Sequence, residues 1–224
     1  MSEHITLRKM KKEDSAALEN IIRSAWHYDR FLSPSAAKKM ARVYLRSCLS
    51  NQTFICVAAA GRRPVGVIMV KKNKNFKAPL RRRLSLFISV VSLLFSKEGR
   101  FVSGSFKGIQ DIDGRLLKSS GQSYDAEIAF FAIDAAYRGR HIGAALFDKA
   151  VAYMQKENLK NFFLFTDTSC NYHFYDHRGL TRQAEAAHCF DTGKQKAEMI
   201  FYLYDAKTSS VFRQRLPETE KKKL

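Results

Sequence analysis

The residues best equipped for chemistry occupy positions 137–146, Tyr137-Arg138-Gly139-Arg140-His141-Ile142-Gly143-Ala144-Ala145-Leu146. They separate an apolar run at 126–133, which predicts a buried strand, from a segment at 142–157 whose apolar residues recur at helical spacing. A helix N-terminus leaves several backbone N–H groups without intrahelical partners and carries partial positive charge. Glycines there let a phosphate come close, and Arg138 and Arg140 add attraction and forked hydrogen bonds. The segment therefore predicts an anion cradle at the C-terminal end of a central strand. It lacks the Gly-x-Gly-x-x-Gly spacing of a dinucleotide fold and the Lys-Ser/Thr ending of a P-loop. Taken alone, the residues also fit a plain strand-to-helix turn. Glu127 is the ionisable residue inside the preceding strand. Burial would raise its pKa and make it a competent base; an ion pair with an arginine is the alternative.

The elements that must position these groups follow from periodicity and turn chemistry. Residues 5–10 alternate apolar and polar as a first strand, and a helix capped near Asp14 runs to about Tyr28. Pro34 punctuates, and a second helix spans about 36–50. Residues 54–60 and 65–70 form a hairpin around Gly61-Arg62-Arg63-Pro64. Residues 71–124 break the rhythm and predict an insertion. It has a basic run at 71–83, an apolar helix at 84–95 whose serines share one face, a glycine- and serine-dotted stretch, and a short helix near 112–118. A strand at 161–166, a short helix at 171–177 capped by Gly179, and strands at 182–190 and 198–204 complete the order. Residues 207–224 hold too little apolar content to pack and predict a mobile tail. The fold class expected is α/β, one mixed sheet covered by helices.

Two motifs carry a family resemblance. Residues 138–143 resemble the Arg/Gln-x-x-Gly-x-Gly/Ala signature of the GNAT superfamily of acyl-CoA-dependent N-acyltransferases. Arg138 and Gly143 stand at its ends, and His141 takes the middle glycine's place, a substitution that fits if its φ is negative or its ring points outward. Asn171-Tyr172-His173-Phe174-Tyr175-Asp176-His177-Arg178-Gly179-Leu180 resembles the family's Asn-x-x-Ala-x-x-Phe-Tyr-x-x-x-Gly-Phe stretch, with shorter spacing before the tyrosine. The resemblance implies a GNAT-like, mostly antiparallel central sheet flanked by helices, in a domain of residues 1–205. A helical insertion at 71–124 follows the third strand, and a basic tail occupies 206–224. It implies acetyl-CoA as co-substrate, its pyrophosphate held by the N–H groups of Arg138, Gly139, Arg140, His141, Ile142, Gly143 and Ala144. The pantetheine arm would pair with the backbone of Phe131, Ala132 and Ile133, where a strand splays from its neighbour. An N–H near Phe131 would polarise the thioester carbonyl, and Tyr175 would protonate the departing thiolate. Asn171 either hydrogen-bonds the arm or caps its helix. An amine acceptor would come in over the first two helices, with Trp26, Tyr28 and Phe31 lining its path, unless those rings belong to the core.

Composition limits the alternatives. With 224 residues, 46% of them hydrophobic and 27% charged, the chain suits one globular domain. No apolar run is long enough to span a bilayer, and no secretory signal is visible at the N-terminus. The four cysteines show no Cys-x-x-Cys pairing and suit a reducing cytoplasm, and the histidines have no metal-ligand spacing. The net charge of +18 attracts polyanions without choosing among them. The acid-free run at 71–83 reads either as a solvated loop or as a contact for nucleic acid or an anionic membrane. Two readings thus compete with the enzyme: a non-catalytic acyl-CoA sensor and a polyanion- or membrane-docking protein.

Overall fold

The computed structural model describes residues 3–30, 32–74, 79–191 and 196–213. The chain divides into two compact units, Met1–Ser105 with Ile128–Ala150, and Phe106–Glu127 with Val151–Leu224. Its seven strands make the mixed, mostly antiparallel arrangement expected, and helices stand where the insertion was placed.

In the first unit the strands run in the order β1 (Ile5–Arg8), β2 (Phe54–Ala60), β3 (Arg63–Lys72) and β4 (Ala126–Ile133). The hairpin of β2 and β3 is antiparallel, and Pro64 to Val70 are buried without interruption, as in a strand covered on both faces. Helix α1 (Ser15–Ala25) buries Leu18, Ile21 and Ile22. Asp14 stands before α1, but its side chain does not cap that helix. Its carboxylate accepts the Lys11 N–H at 2.7 Å and a forked pair from Arg8 at 2.7 and 2.8 Å. Burial works to raise the Asp14 pKa, yet the Arg8 fork and the Lys11 N–H outweigh it and hold the carboxyl below its ordinary range. The native state thus favours ionised Asp14, so this stabilisation is present above the ordinary aspartate pKa and is lost as pH falls. Asp14→Asn is expected to cost about 2 kcal/mol at neutral pH, with the gap to wild type closing in acid. Thermal melts at several pH values check it.

Helix α2 (Pro34–Asn51) starts earlier than expected. Pro34 is its first residue, where the missing N–H is harmless, and the Ser33 hydroxyl accepts the Ala36 N–H. The insertion opens with α3 (Leu80–Leu94), a turn longer at its start than periodicity suggested. Ser85 and Ser89 face the protein, where Arg46 donates to the Ser85 carbonyl at 3.1 Å and to the Ser89 hydroxyl, while Ser92 is exposed. Helix α4 (Lys97–Ser119) corrects the sequence reading more sharply, since the glycine-dotted stretch is continuous helix. Each internal glycine disfavours helix by about 1 kcal/mol, but Ile109, Ile112 and Leu116 recur at helical spacing and find a core to fill.

That core belongs to the second unit, where Ile112, Leu116 and Tyr124 pack with Phe163, Phe201 and Leu203. The strand order there is β4, β5 (Asn161–Asp167), β7 (Lys196–Lys207) and β6 (Thr181–Asp191). The parallel β4–β5 ladder takes in Ala126 and Glu127, opposite Phe162 and Phe163. Asp125 ties down this strand end. Its N–H donates to Asn161 Oδ1 at 3.0 Å, and its carboxylate accepts the Lys160 N–H at 2.9 Å. The ordered chain also continues past the start expected for the tail. A short helix α7 (Thr208–Arg213) follows β7, with Thr208 donating to the Leu159 carbonyl and Val211 buried. All four cysteines carry free thiols, Cys56 buried, Cys48 half-buried, Cys170 and Cys189 exposed.

Candidate active site

The first unit contains the loop expected to cradle an anion. After β4 the Asp134 N–H donates to the Val65 carbonyl at 2.8 Å, and the Asp134 side chain accepts the Ala136 N–H at 3.1 Å and Arg63 at 2.8 Å. A single turn follows, closed by Tyr137 N–H to the Asp134 carbonyl and Arg138 N–H to the Ala135 carbonyl. Arg138 was expected to offer its N–H to a phosphate, but that donor serves the turn instead. Its exposed guanidinium remains the part suited to an anion. Tyr137 is buried, its hydroxyl donates to Glu3 at 2.7 Å, and the Arg140 guanidinium lies 4.8 Å from its ring centre. The loop is thereby tied down at its base.

Helix α5 (Ile142–Lys156) starts directly after this loop. The Ala145 N–H donates to the His141 carbonyl at 3.1 Å, so the N–H groups of Ile142, Gly143 and Ala144 precede that bond at the helix mouth. Gly139 and His141 both have positive φ, 76° and 58°. The negative φ allowed for His141 is therefore not what the chain adopts. It keeps the left-handed backbone natural to glycine and points an exposed ring outward, the other condition set for it. A non-glycine residue there carries about 1 kcal/mol or more of backbone strain. His141→Gly is expected to raise stability by about 1 kcal/mol with acetyl-CoA affinity held within about threefold, read by thermal melts and calorimetry.

Phe131, Ala132 and Ile133 at the end of β4 are half-buried. Their neighbour Phe130 is buried and meets two rings, Trp26 at 5.8 Å and Tyr44 at 5.5 Å, which lie 4.9 Å from each other. Trp26 is thus tied to the strand next to the expected carbonyl site. Tyr28 is only 3% exposed and packs as core, which takes it out of the lining expected from sequence. Phe31 lies outside the described residues.

The second unit contains the residues expected to act as acid and base. Tyr175 lies on α6 (His173–His177), buried, with the rings of Phe174 and Tyr204 at 5.5 and 5.6 Å. Burial, and then the charges of Cys170, Tyr204 and Asp167, push its phenol well above the ordinary value. Sequence reasoning missed what supports it. The Tyr204 hydroxyl donates to Asp176 at 2.7 Å and accepts from Arg182 at 3.0 and 3.1 Å, joining α6 to β6 and β7. The signal was the alternation Tyr202-Leu203-Tyr204, which puts both phenols on one face of a strand. Of the two roles open to Asn171, that of helix cap is not the one adopted. Tyr172 holds the cap position, and exposed Asn171 contributes its backbone carbonyl, which accepts the Phe174 N–H at 3.2 Å.

Glu127 is half-buried at the β4–β5 ladder. A carboxyl of this unit whose pKa is raised is Asp113 of α4, which sequence reasoning passed over. Burial pushes it up to about 7, and the charges of Glu127 and Asp167 act in the same direction. Residue 113 lies in the short helix expected near 112–118, but periodicity alone did not show what that helix packs against. Among the described residues, no group of three His, Cys, Asp or Glu side chains is placed to hold a metal ion.

The sequence model of the Acetyltransferase (GNAT) family matches residues 17–180. The chain belongs to this family, whose members use acetyl-CoA as co-substrate. Among solved structures it is similar to PH1933 from Pyrococcus horikoshii OT3, with TM-score 0.55 and 16% identity over 89% of this chain and 97% of that one. It is also similar to smu.2055 from Streptococcus mutans UA159, with TM-score 0.54 and 15% identity over 91% and 99%. A third is the ribosomal-protein-S18-alanine N-acetyltransferase from Escherichia coli, with TM-score 0.51 and 11% identity over 92% and 94%. At these identities the likeness is one of fold. No curated protein matches the chain in sequence.

Proposed function

We propose that this protein moves an acetyl group from acetyl-CoA to an amine by direct attack. The observation that carries the proposal is the loop at 138–144, left-handed at Gly139 and His141 and opening into the N-terminus of α5. In this reading the N–H groups of residues 139–144 and the guanidinium groups of Arg138 and Arg140 hold the pyrophosphate. The pantetheine arm lies along Phe131, Ala132 and Ile133 as an added strand. Their half-buried backbone, beyond the stretch of β4 that pairs with β5, supports that course.

The reaction needs a base, an oxyanion donor and an acid. Glu127 takes the proton of the attacking amine, with Asp113 as the carboxyl coupled to it. The N–H near Phe131 faces the carbonyl oxygen as it gains charge. Tyr175 gives its proton to the departing thiolate, and the raised phenol pKa supports its being protonated when the thiolate forms. Asn171 contacts the pantetheine arm, and Trp26 lines the acceptor's path. The free thiols support a reducing compartment, the cytoplasm.

Calorimetry with purified protein should detect acetyl-CoA binding, and a panel of amines should then show acceptor-dependent CoA release. Absence of any binding to acetyl-CoA or CoA would remove the basis of the proposal. Binding without turnover on every amine class would leave a sensor in place of an enzyme.

A further inference from the structure

The large apolar side chains that stand exposed among the described residues are Leu80, Leu84, Phe87, Ile88, Leu94 and Phe95. All lie on α3 or directly after it, and Phe87 and Phe95 are 65% and 82% exposed. At about 100° of rotation per residue, the six fall within an arc of about 120° running some 22 Å along the helix. The opposite face, with Ser85 and Ser89, is the one hydrogen-bonded to Arg46 of α2. The helix is therefore docked through Ser85, Ser89 and Leu93 and turns Leu80, Leu84, Phe87, Ile88 and Leu94 outward.

The charges on α3 are arranged to match. Arg81 and Arg83 fall about 20° outside the two edges of the apolar arc. Arg82 points the other way and donates to the Leu49 carbonyl at 3.1 Å. The surrounding sequence is one-signed, for residues 30–97 contain fifteen lysines and arginines and no aspartate or glutamate. An apolar strip edged by arginines within an acid-free stretch is complementary to an anionic lipid surface, where acyl chains take the strip and headgroups take the cations. No described helix is long and apolar enough to cross a membrane, so the contact would lie in the interface plane. A nucleic acid would satisfy the arginines and could stack on Phe87 and Phe95, but it would leave Leu80, Leu84, Ile88 and Leu94 in water. A second copy would cover the strip only by bringing two acid-free basic regions together.

We propose that the outer face of α3 docks this enzyme on anionic lipid membranes. The full-length protein is mixed with vesicles of phosphatidylcholine alone or with added phosphatidylserine, and bound protein is measured after flotation. Binding should require phosphatidylserine and fall as salt rises. It should weaken about tenfold or more in Arg81→Ala/Arg83→Ala, at about fivefold per basic residue near the surface. Phe87→Asp should abolish it while circular dichroism and acetyl-CoA binding stay as in wild type. Equal binding to pure phosphatidylcholine, or binding indifferent to Phe87→Asp, would overturn the proposal. So would self-association or RNA binding that accounts for α3 with no vesicle binding. The readout is independent of turnover, so failure here leaves the acetyltransferase reading untouched.

Discussion

Tyr175→Phe is expected to lower kcat about a hundredfold, the loss typical of a removed general acid, with acetyl-CoA affinity changed less than about threefold. The substitution deletes a hydroxyl and keeps the ring, so the packing of residue 175 against Phe174 and Tyr204 survives. What disappears is a proton source that burial and neighbouring charge hold well above the ordinary phenol range. Such a phenol stays protonated across the usual assay range, so it should add no alkaline limb to the kcat profile of the wild type. Single-turnover CoA release would separate this step from binding. A kcat within threefold of wild type would assign Tyr175 to packing alone.

Glu127→Gln is expected to cut kcat/KM about a hundredfold at every pH, while Asp113→Asn acts on pH dependence. Folded Asp113 keeps its proton up to about 7, whereas the unfolded chain releases it near the ordinary aspartate value of 3.8. Between those values the native state holds an extra proton, so the contribution of Asp113 to stability declines as pH rises. Asp113→Asn removes the decline. It should stabilise the protein by on the order of 3 kcal/mol at pH 8 and bring no gain below about pH 4, as read from denaturant midpoints. In turnover, the inflection near pH 7 in kcat/KM should vanish in Asp113→Asn but persist at reduced height in Glu127→Gln. If Glu127→Gln retains full kcat/KM, the base lies elsewhere and Asp113 becomes the first residue to examine.

Much of the frame was written in local pattern. The hairpin at 54–72 shows two apolar runs around a glycine turn, and its two strands pair antiparallel with one irregularity between Ala58 and Ala59. The start of α5 was readable because glycines and arginines before an amphipathic run have few other uses. The left-handed cap at Gly179, φ 71°, followed from the short helix before it. What escaped reading depends on long-range contacts. The length of α4 follows from a core built by Phe163, Phe201 and Leu203, which lie far along the chain from it. Asp113 lay in a helix the sequence already suggested, and it could be weighed only once the packing of that helix was known. Tyr28 and Trp26 look alike in sequence, two aromatics at a helix end. Only the fold puts one in the core and the other, half-buried, against Phe130.

The free thiols bear on how acetyl transfer is watched. A dye that colours released CoA also meets the protein's own sulfur, beginning with exposed Cys189. Cys170, exposed as a residue, should still follow more slowly, because desolvation around its sulfur and the charge of Asp167 hold that thiol above its ordinary pKa and starve it of thiolate. The background would then arrive as a fast and a slow phase, set by protein concentration and indifferent to the amine supplied. Replacing both cysteines with serine would give a colour change that counts turnovers alone.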